Sequence, residues 1–148
     1  MTKEIDMSQY SPNEQVAVTV LESWNSKEYD KAMAVLADDF EVVEVANGDT
    51  YRGADGLLAE FTKWHTAMSD GVMHIKTVIG KGDLVAIETL VTGTHDGPFA
   101  TGDGDLPPTG NAIEFPMCTI ATIREGKERQ ERHYFDLESI MTQLGASK

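Results

Sequence analysis

One cysteine, Cys118, stands in 148 residues, which excludes an internal disulfide and a Cys-based zinc site. That scarcity fits a reducing, intracellular compartment. Positive charge is scarce too: 12 Lys and Arg face 25 Asp and Glu, for a net charge of −13. Phosphate backbones bind through clustered positive charge, so this balance argues against nucleic acid as a partner. Arg124, Lys127, Arg129 and Arg132 do cluster, but Glu125, Glu128 and Glu131 interleave with them. That pattern reads as a solvated hairpin with cross-strand ion pairs. No apolar run approaches the roughly 20 residues of a membrane span. Met1-Thr2-Lys3-Glu4-Ile5-Asp6 lacks the apolar core of a signal peptide, and a cytoplasmic protein is expected.

Several motif classes are missing as well. Asp96, Asp103 and Asp105 lack calcium-loop spacing, and the four histidines lack metal-ligand spacing, so no metal is expected. Gly102-Asp103-Gly104 sits in no strand-to-helix crossover and is no dinucleotide fingerprint. A Ser-His-Asp triad has no nucleophile elbow to anchor it. No cofactor is expected.

What is present fits one domain over residues 1–148, with residues 1–10 as a flexible arm. Ser11-Pro12-Asn13-Glu14 reads as a capping box with proline at the first helical position. Val16, Ala17, Val20, Leu21 and Trp24 form its apolar stripe. Asp30 caps a short second helix over 31–37, and residues 40–45 are strand-like. A third helix covers 53–68, with Leu57, Leu58, Phe61, Trp64, His65 and Met68 on one broad face. Strands follow at 71–79, 84–94, 111–123 and 127–135, then a helix capped by Asp136 and Gly145. Residues 96–110 read as a Gly/Asp/Pro loop long enough to be a functional lid. Helices first and meandering strands afterwards indicate α+β. The expected shape is a conical barrel, a curved antiparallel sheet wrapped around the N-terminal helices with an apolar pocket inside.

Alternation assigns the inner face. From Leu84, odd positions run Val85, Ile87, Thr89, Val91, Gly93, His95, whereas Glu88 occupies the other face. The next strand turns Ile113, Phe115, Met117, Thr119 and Ala121 the same way. A three-residue turn at Arg124-Glu125-Gly126 sets Met117 opposite His133 and Thr119 opposite Glu131. A two-residue turn would swing His133 to the other face. Thr119, Glu131 and His133 thus gather against an apolar wall, the usual character of a small-molecule site.

Each candidate has a plainer alternative. His133 can act as a base near neutral pH, oriented by Glu131 or Thr119, or simply hydrogen-bond the backbone from a half-buried strand. His95 can polarise a carbonyl, or pin residues 96–110 through its ring nitrogens. Trp24, Phe61, Trp64, Phe115 and Met117 line a pocket for a flat ligand, or are plain core, and Tyr51 reaches toward the mouth. His65 reads as a core histidine, His74 as exposed, and Asp136 as a helix cap.

Gly93-Thr94-His95-x-Gly97, Pro107-Pro108-Thr109-Gly110, Phe115, Gly126-Lys127, Asp136 and Gln143-Leu144-Gly145 together resemble the SnoaL-like polyketide cyclase family of the nuclear-transport-factor-like superfamily. Trp24-Asn25, Ala37-Asp38-Asp39-Phe40 and Tyr51-Arg52-Gly53 fit more loosely. The resemblance implies a conical α+β barrel, usually dimeric or larger, with a deep apolar pocket, whose characterised cyclases close a polyketide ring by aldol condensation without cofactor or metal. An aspartate on the last strand takes a proton α to a carbonyl, and a histidine on the preceding strand assists. Here His133 holds the aspartate position and Thr119 the histidine position. The implied function is cofactor-free acid–base catalysis on a hydrophobic carbonyl compound, with His133 as base and His95 and Thr119 as further catalytic candidates. A ketosteroid-isomerase-like or hydratase/epoxide-hydrolase-like enzyme, and a non-catalytic ligand-binding protein, stay open. A homodimer is expected through the outer sheet face, where Leu90, Cys118 and Ile120 point.

Overall fold

A computed structural model of the chain describes residues 5–146. The capping box forms as read: Ser11 accepts from the Glu14 backbone while Glu14 accepts from the Ser11 backbone, starting helix α1 (Pro12–Ser26). Its apolar stripe buries Ala17, Val18, Val20, Leu21 and Trp24. Of the expected flexible arm, residues 1–4 lie outside the described residues, while Asp6 caps a short 3-10 turn, Met7–Gln9. The second helix, α2 (Tyr29–Met33), starts earlier than expected, and Glu28, not Asp30, precedes it without a side-chain cap. Strand β1 (Leu36–Glu44) therefore begins sooner, and β2 (Asp49–Arg52) leads into helix α3 (Gly53–Ala67).

Strands β3 (Val72–Lys81), β4 (Leu84–Thr94), β7 (Ala112–Arg124) and β8 (Lys127–Phe135) form the expected meander. Helix α4 (Leu137–Gln143) closes it, with Asp136 accepting from the Ser139 backbone N–H. The expected loop over 96–110 contains its own small ladder, β5 (Phe99–Thr101) with β6 (Gly104–Leu106). At its start Gly97 packs so tightly that a Cβ there would sit 1.9 Å from the Thr66 carbonyl oxygen.

The conical barrel is not what forms. The main sheet is open, with six strands in the order β2-β1-β8-β7-β4-β3. Its ends, β2 and β3, do not meet, so nothing closes or curls into a barrel. Nor is the sheet wholly antiparallel, because β1 pairs parallel to β8. The meander accounts for only four strands; β1 reaches its place through long-range pairing that leaves no local sequence signature. Helices α1 and α3 pack on the sheet, and apolar side chains fill the space between.

The β7–β8 turn also differs from the reading. Arg124 pairs with Lys127, so the turn has two residues, with Glu125 at φ 54° and Gly126 at φ 74°. Positive φ at both central positions is the twist-matched hairpin geometry. Taken alone, this turn would point His133 outward. A bulge corrects it: Ile123 pairs with Glu128 but Thr122 with Gln130, leaving Arg129 as the extra residue. Parity is restored beyond it. Thr119 stands opposite His133, and Met117 opposite Phe135 rather than His133. The two-residue turn sets Glu128 opposite the inward-facing Ile123, and both Glu128 and Glu131 are buried rather than solvated. The hairpin's exposed charges pair elsewhere, Arg124 with Asp83 and Arg129 with Asp39.

Candidate active site: a buried proton network in an apolar cavity

Between α1, α3 and the inner sheet face lies a narrow, largely apolar cavity. Trp24, Phe61, Trp64, Phe115 and Met117 all line it. The aromatic walls interlock: Trp64 lies 6.0 Å from Phe115 and 5.8 Å from Phe135, centroid to centroid. Trp24 is fixed further back, stacked on His65 at 3.9 Å and donating its indole N–H to the Phe61 carbonyl. His65 is held in turn by the Tyr29 hydroxyl at Nδ1. Burial and the nearby Lys27 charge push its pKa down to about 4, so it packs as a neutral ring.

The polar lining is concentrated on one side. Thr119, Glu131 and His133 face the cavity together. His133 Nδ1 is 2.8 Å from Thr119 Oγ1, and its Nε2 lies 3.2 Å from Glu131 Oε2. A third group completes the cluster: Glu60 of α3 comes within 3.6 Å of the same Nε2. Burial alone would push the imidazole pKa down, but Glu60 and Glu131 outweigh it and hold it well above the ordinary histidine value. At neutral pH His133 is therefore an imidazolium, its Nδ1–H donating to Thr119.

Two further carboxyls flank this ring. Glu44, at the end of β1, accepts from Lys63 Nζ at 2.5 Å, Trp64 Nε1 at 2.6 Å and Asn47 Nδ2 at 2.9 Å. Burial pushes it up, but the Glu60 hydrogen bond and the Lys63 charge prevail and lower it to about 2. Glu60 is pushed the other way. Burial dominates, the Glu44 charge adds to it, and its pKa rises to about 7 despite His133. Its protonated form donates to Glu44. Glu128 accepts from no donor among the described residues. Burial and then the Glu131 charge hold its pKa far above the ordinary carboxyl value, so it stays protonated and donates to Glu131. Glu131, opposed by burial but served by His133 and Glu128, is held ionised. The result is a continuous chain, Lys63–Glu44–Glu60–His133–Glu131–Glu128, in which proton donors and acceptors alternate along most of its length.

The other candidates lie elsewhere. His95 is fully buried but does not line the cavity; its Nδ1 accepts from the Thr109 backbone N–H at 3.2 Å and lies 3.0 Å from Thr109 Oγ1. That geometry ties the 96–110 segment to the end of β4. Tyr51 is not in the lining either; its ring lies 5.4 Å below Lys63 Nζ. Among the described residues, no group of three or more His, Cys, Asp or Glu side chains is arranged to hold a metal ion.

Sequence reasoning missed Glu44, Glu60, Lys63 and the inward turn of Glu128. Signals existed for two of them. Glu60 falls on the helical stripe of Leu57, Phe61 and Trp64, and Glu44 alternates with Phe40 and Val42. A charge on an apolar stripe marks a buried, partnered group.

A protein from Jannaschia sp. CCS1, provisionally described as a SnoaL-like polyketide cyclase, superposes with a TM-score of 0.82 at 18% identity, over 99% of this chain and 100% of that one. A hypothetical protein from Catenulispora acidiphila with a ketosteroid-isomerase-like fold, bound to trimethylamine, gives 0.72 at 21% identity over 88% and 92%. TerC, co-crystallised with polyporic acid, gives 0.72 at 18% identity over 91% and 99%. At these identities the likeness is one of fold. No curated protein matches the chain. A sequence profile of the SnoaL-like polyketide cyclases matches residues 14–144, nearly the full length, and the chain belongs to that family.

Proposed function

We propose that the protein, acting as one domain, is a cofactor-free acid–base enzyme of the polyketide-cyclase type. Its substrate is a flat, hydrophobic, carbonyl-containing small molecule. The observation that carries this reading is the His133 ring, held between Glu131 and Glu60 at the wall of an apolar cavity. A binding protein gains nothing from burying so many titratable groups, whose desolvation costs several kcal/mol per charge before pairing. An enzyme that must move protons away from water does gain. The TerC complex with polyporic acid is in keeping with a small organic occupant of the fold.

Protonation alters the role first expected of His133. As an imidazolium it has no free lone pair, so it begins the reaction as a hydrogen-bond donor to a carbonyl oxygen, not as a base. Thr119 fixes the ring plane through Nδ1, and Glu131 keeps the ring charged. Isomerisation or hydration of a similar substrate would use the same groups. A homodimer through the outer sheet face and a cytoplasmic location belong to the same reading; Leu90, Pro116, Cys118 and Tyr134 border a shallow depression there.

The test begins with native mass spectrometry of the purified protein, to identify a retained ligand and count subunits. Turnover of that ligand by His133→Ala should fall by about 10²–10⁴-fold with the fold intact. Equal turnover by the variant and the parent would leave the binding-protein reading in its place.

A further inference from the structure

We infer that Glu60, on helix α3, is the catalytic base that removes a proton α to the substrate carbonyl, with His133 polarising that carbonyl from across the cavity. This rests on the acid–base reading above and names the group that reading leaves open. The resemblance places an aspartate base at the last-strand position that His133 holds in this sequence. The carboxylate needed for proton abstraction thus has to come from another element.

Elimination among the charged groups points to one residue. From β1, Glu44 is saturated by Lys63, Trp64 and Asn47, which leaves little basicity. From β8, Glu131 takes the nearer hydrogen bond from His133, and Glu128 is a carboxylic acid facing it. Thr119 of β7 touches the opposite ring nitrogen. Glu60 alone lines the cavity with its contact to Nε2 at 3.6 Å, longer than a hydrogen bond. It is 3% exposed, so an ionised Glu60 keeps lone pairs turned into a nearly dry space. Its pKa near 7 suits a base working at neutral pH.

The proton balance closes. A carbonyl oxygen displacing the long Glu60 contact shares the His133 Nε2–H with Glu131, bringing the α-carbon beside Glu60. The α-proton passes to a Glu60 carboxylate oxygen. The C–H electron pair becomes the C=C bond, and the carbonyl π pair moves onto oxygen, which takes the Nε2 proton. Products are the enol, a neutral imidazole and a protonated Glu60. The captured proton is stabilised by donation to Glu44, whose charge Lys63 maintains. Ring closure or isomerisation then follows as the enol attacks a second carbonyl or is reprotonated elsewhere.

The test uses 2-tetralone, a neutral hydrophobic ketone, in D₂O, reading deuterium wash-in at its α-carbon by NMR above the buffer rate. The wild-type protein should accelerate exchange, and Glu60→Gln should lose that acceleration by about 10²–10⁴-fold. Glu60→Asp, with a shortened carboxylate, should keep part of it. Wild-type acceleration retained in Glu60→Gln overturns the assignment and leaves the acid–base reading standing. No acceleration by the wild type overturns both. Should Glu60→Gln not fold, the wild-type profile decides. Exchange that rises with pH toward an inflection near 7 supports Glu60, and a rate flat from about pH 5.5 to 8 overturns it.

Discussion

Replacing Glu60 by Gln should change how stability depends on pH, by an amount the structure specifies. Glu60 is fully buried, and its pKa rises from 4.5 unfolded to about 7 folded. Between those values the folded protein holds a proton that the unfolded chain has released. Wild-type stability therefore falls as pH rises through this window. At about 1.4 kcal/mol per unit the accumulated loss is about 3 kcal/mol by pH 8. Glutamine imitates the protonated carboxyl: its amide can donate to Glu44 and accept from His133, and it never ionises. Other groups titrate in the same range. Glu128 also holds its proton longer when folded, whereas His65, lowered to about 4, releases its proton earlier and contributes the opposite slope. Both are common to the two proteins, so the difference between them reports Glu60 together with His133, whose raised pKa depends on the Glu60 charge and adds in the same direction. Urea unfolding followed by the fluorescence of Trp24 and Trp64, at pH values from 5 to 8, gives that difference directly. Glu60→Gln should gain on the wild type by about 3 kcal/mol across the range. Parallel stability curves would refute the argument that burial raises Glu60.

Two further outcomes follow from particular contacts. Lys63→Met removes the cation from an ion pair whose side chains are 13% and 1% exposed, stranding Glu44. Chemical denaturation should register a loss of about 3–5 kcal/mol, with the largest deficit at neutral pH and recovery as acid protonates Glu44. Gly97→Ala drives a methyl group against the Thr66 carbonyl and should cost about 1–3 kcal/mol in the same assay, without changing the His133 ring environment.

The inner sheet face was legible because β4 and β7 alternate cleanly and both end in strong turns. His133 reached the expected face by a different route, in which a two-residue turn and a bulge at Arg129 compensate each other. Bulges have no reliable local signature, and reading the turn as three residues set Lys127, not Glu128, opposite Ile123, so Glu128 read as solvent-exposed. The α1 and α4 caps were legible because capping is local chemistry. Closure of the sheet was not, since it depends on how distant edges pair, and here β2 and β3 remain apart. Glu60 and Glu44 were visible in the periodicity, but the pairing of Glu44 with Lys63 comes from tertiary packing. The resemblance drew attention to the strand positions now held by Thr119 and His133, whereas the additional carboxylate sits on a helix.

The central claim is that His133 is a charged ring held in an apolar cavity by two carboxylates. Ring ¹⁵N and ¹H chemical shifts of His133, followed by NMR between pH 5 and 9, test it without any substrate. The account predicts an imidazolium with both ring nitrogens protonated at pH 7, its titration displaced well above the ordinary histidine range. It also predicts a downward displacement of that titration in Glu60→Gln. A neutral ring at pH 7, titrating at or below about 6.5, would contradict the electrostatic arrangement on which the catalytic proposal depends.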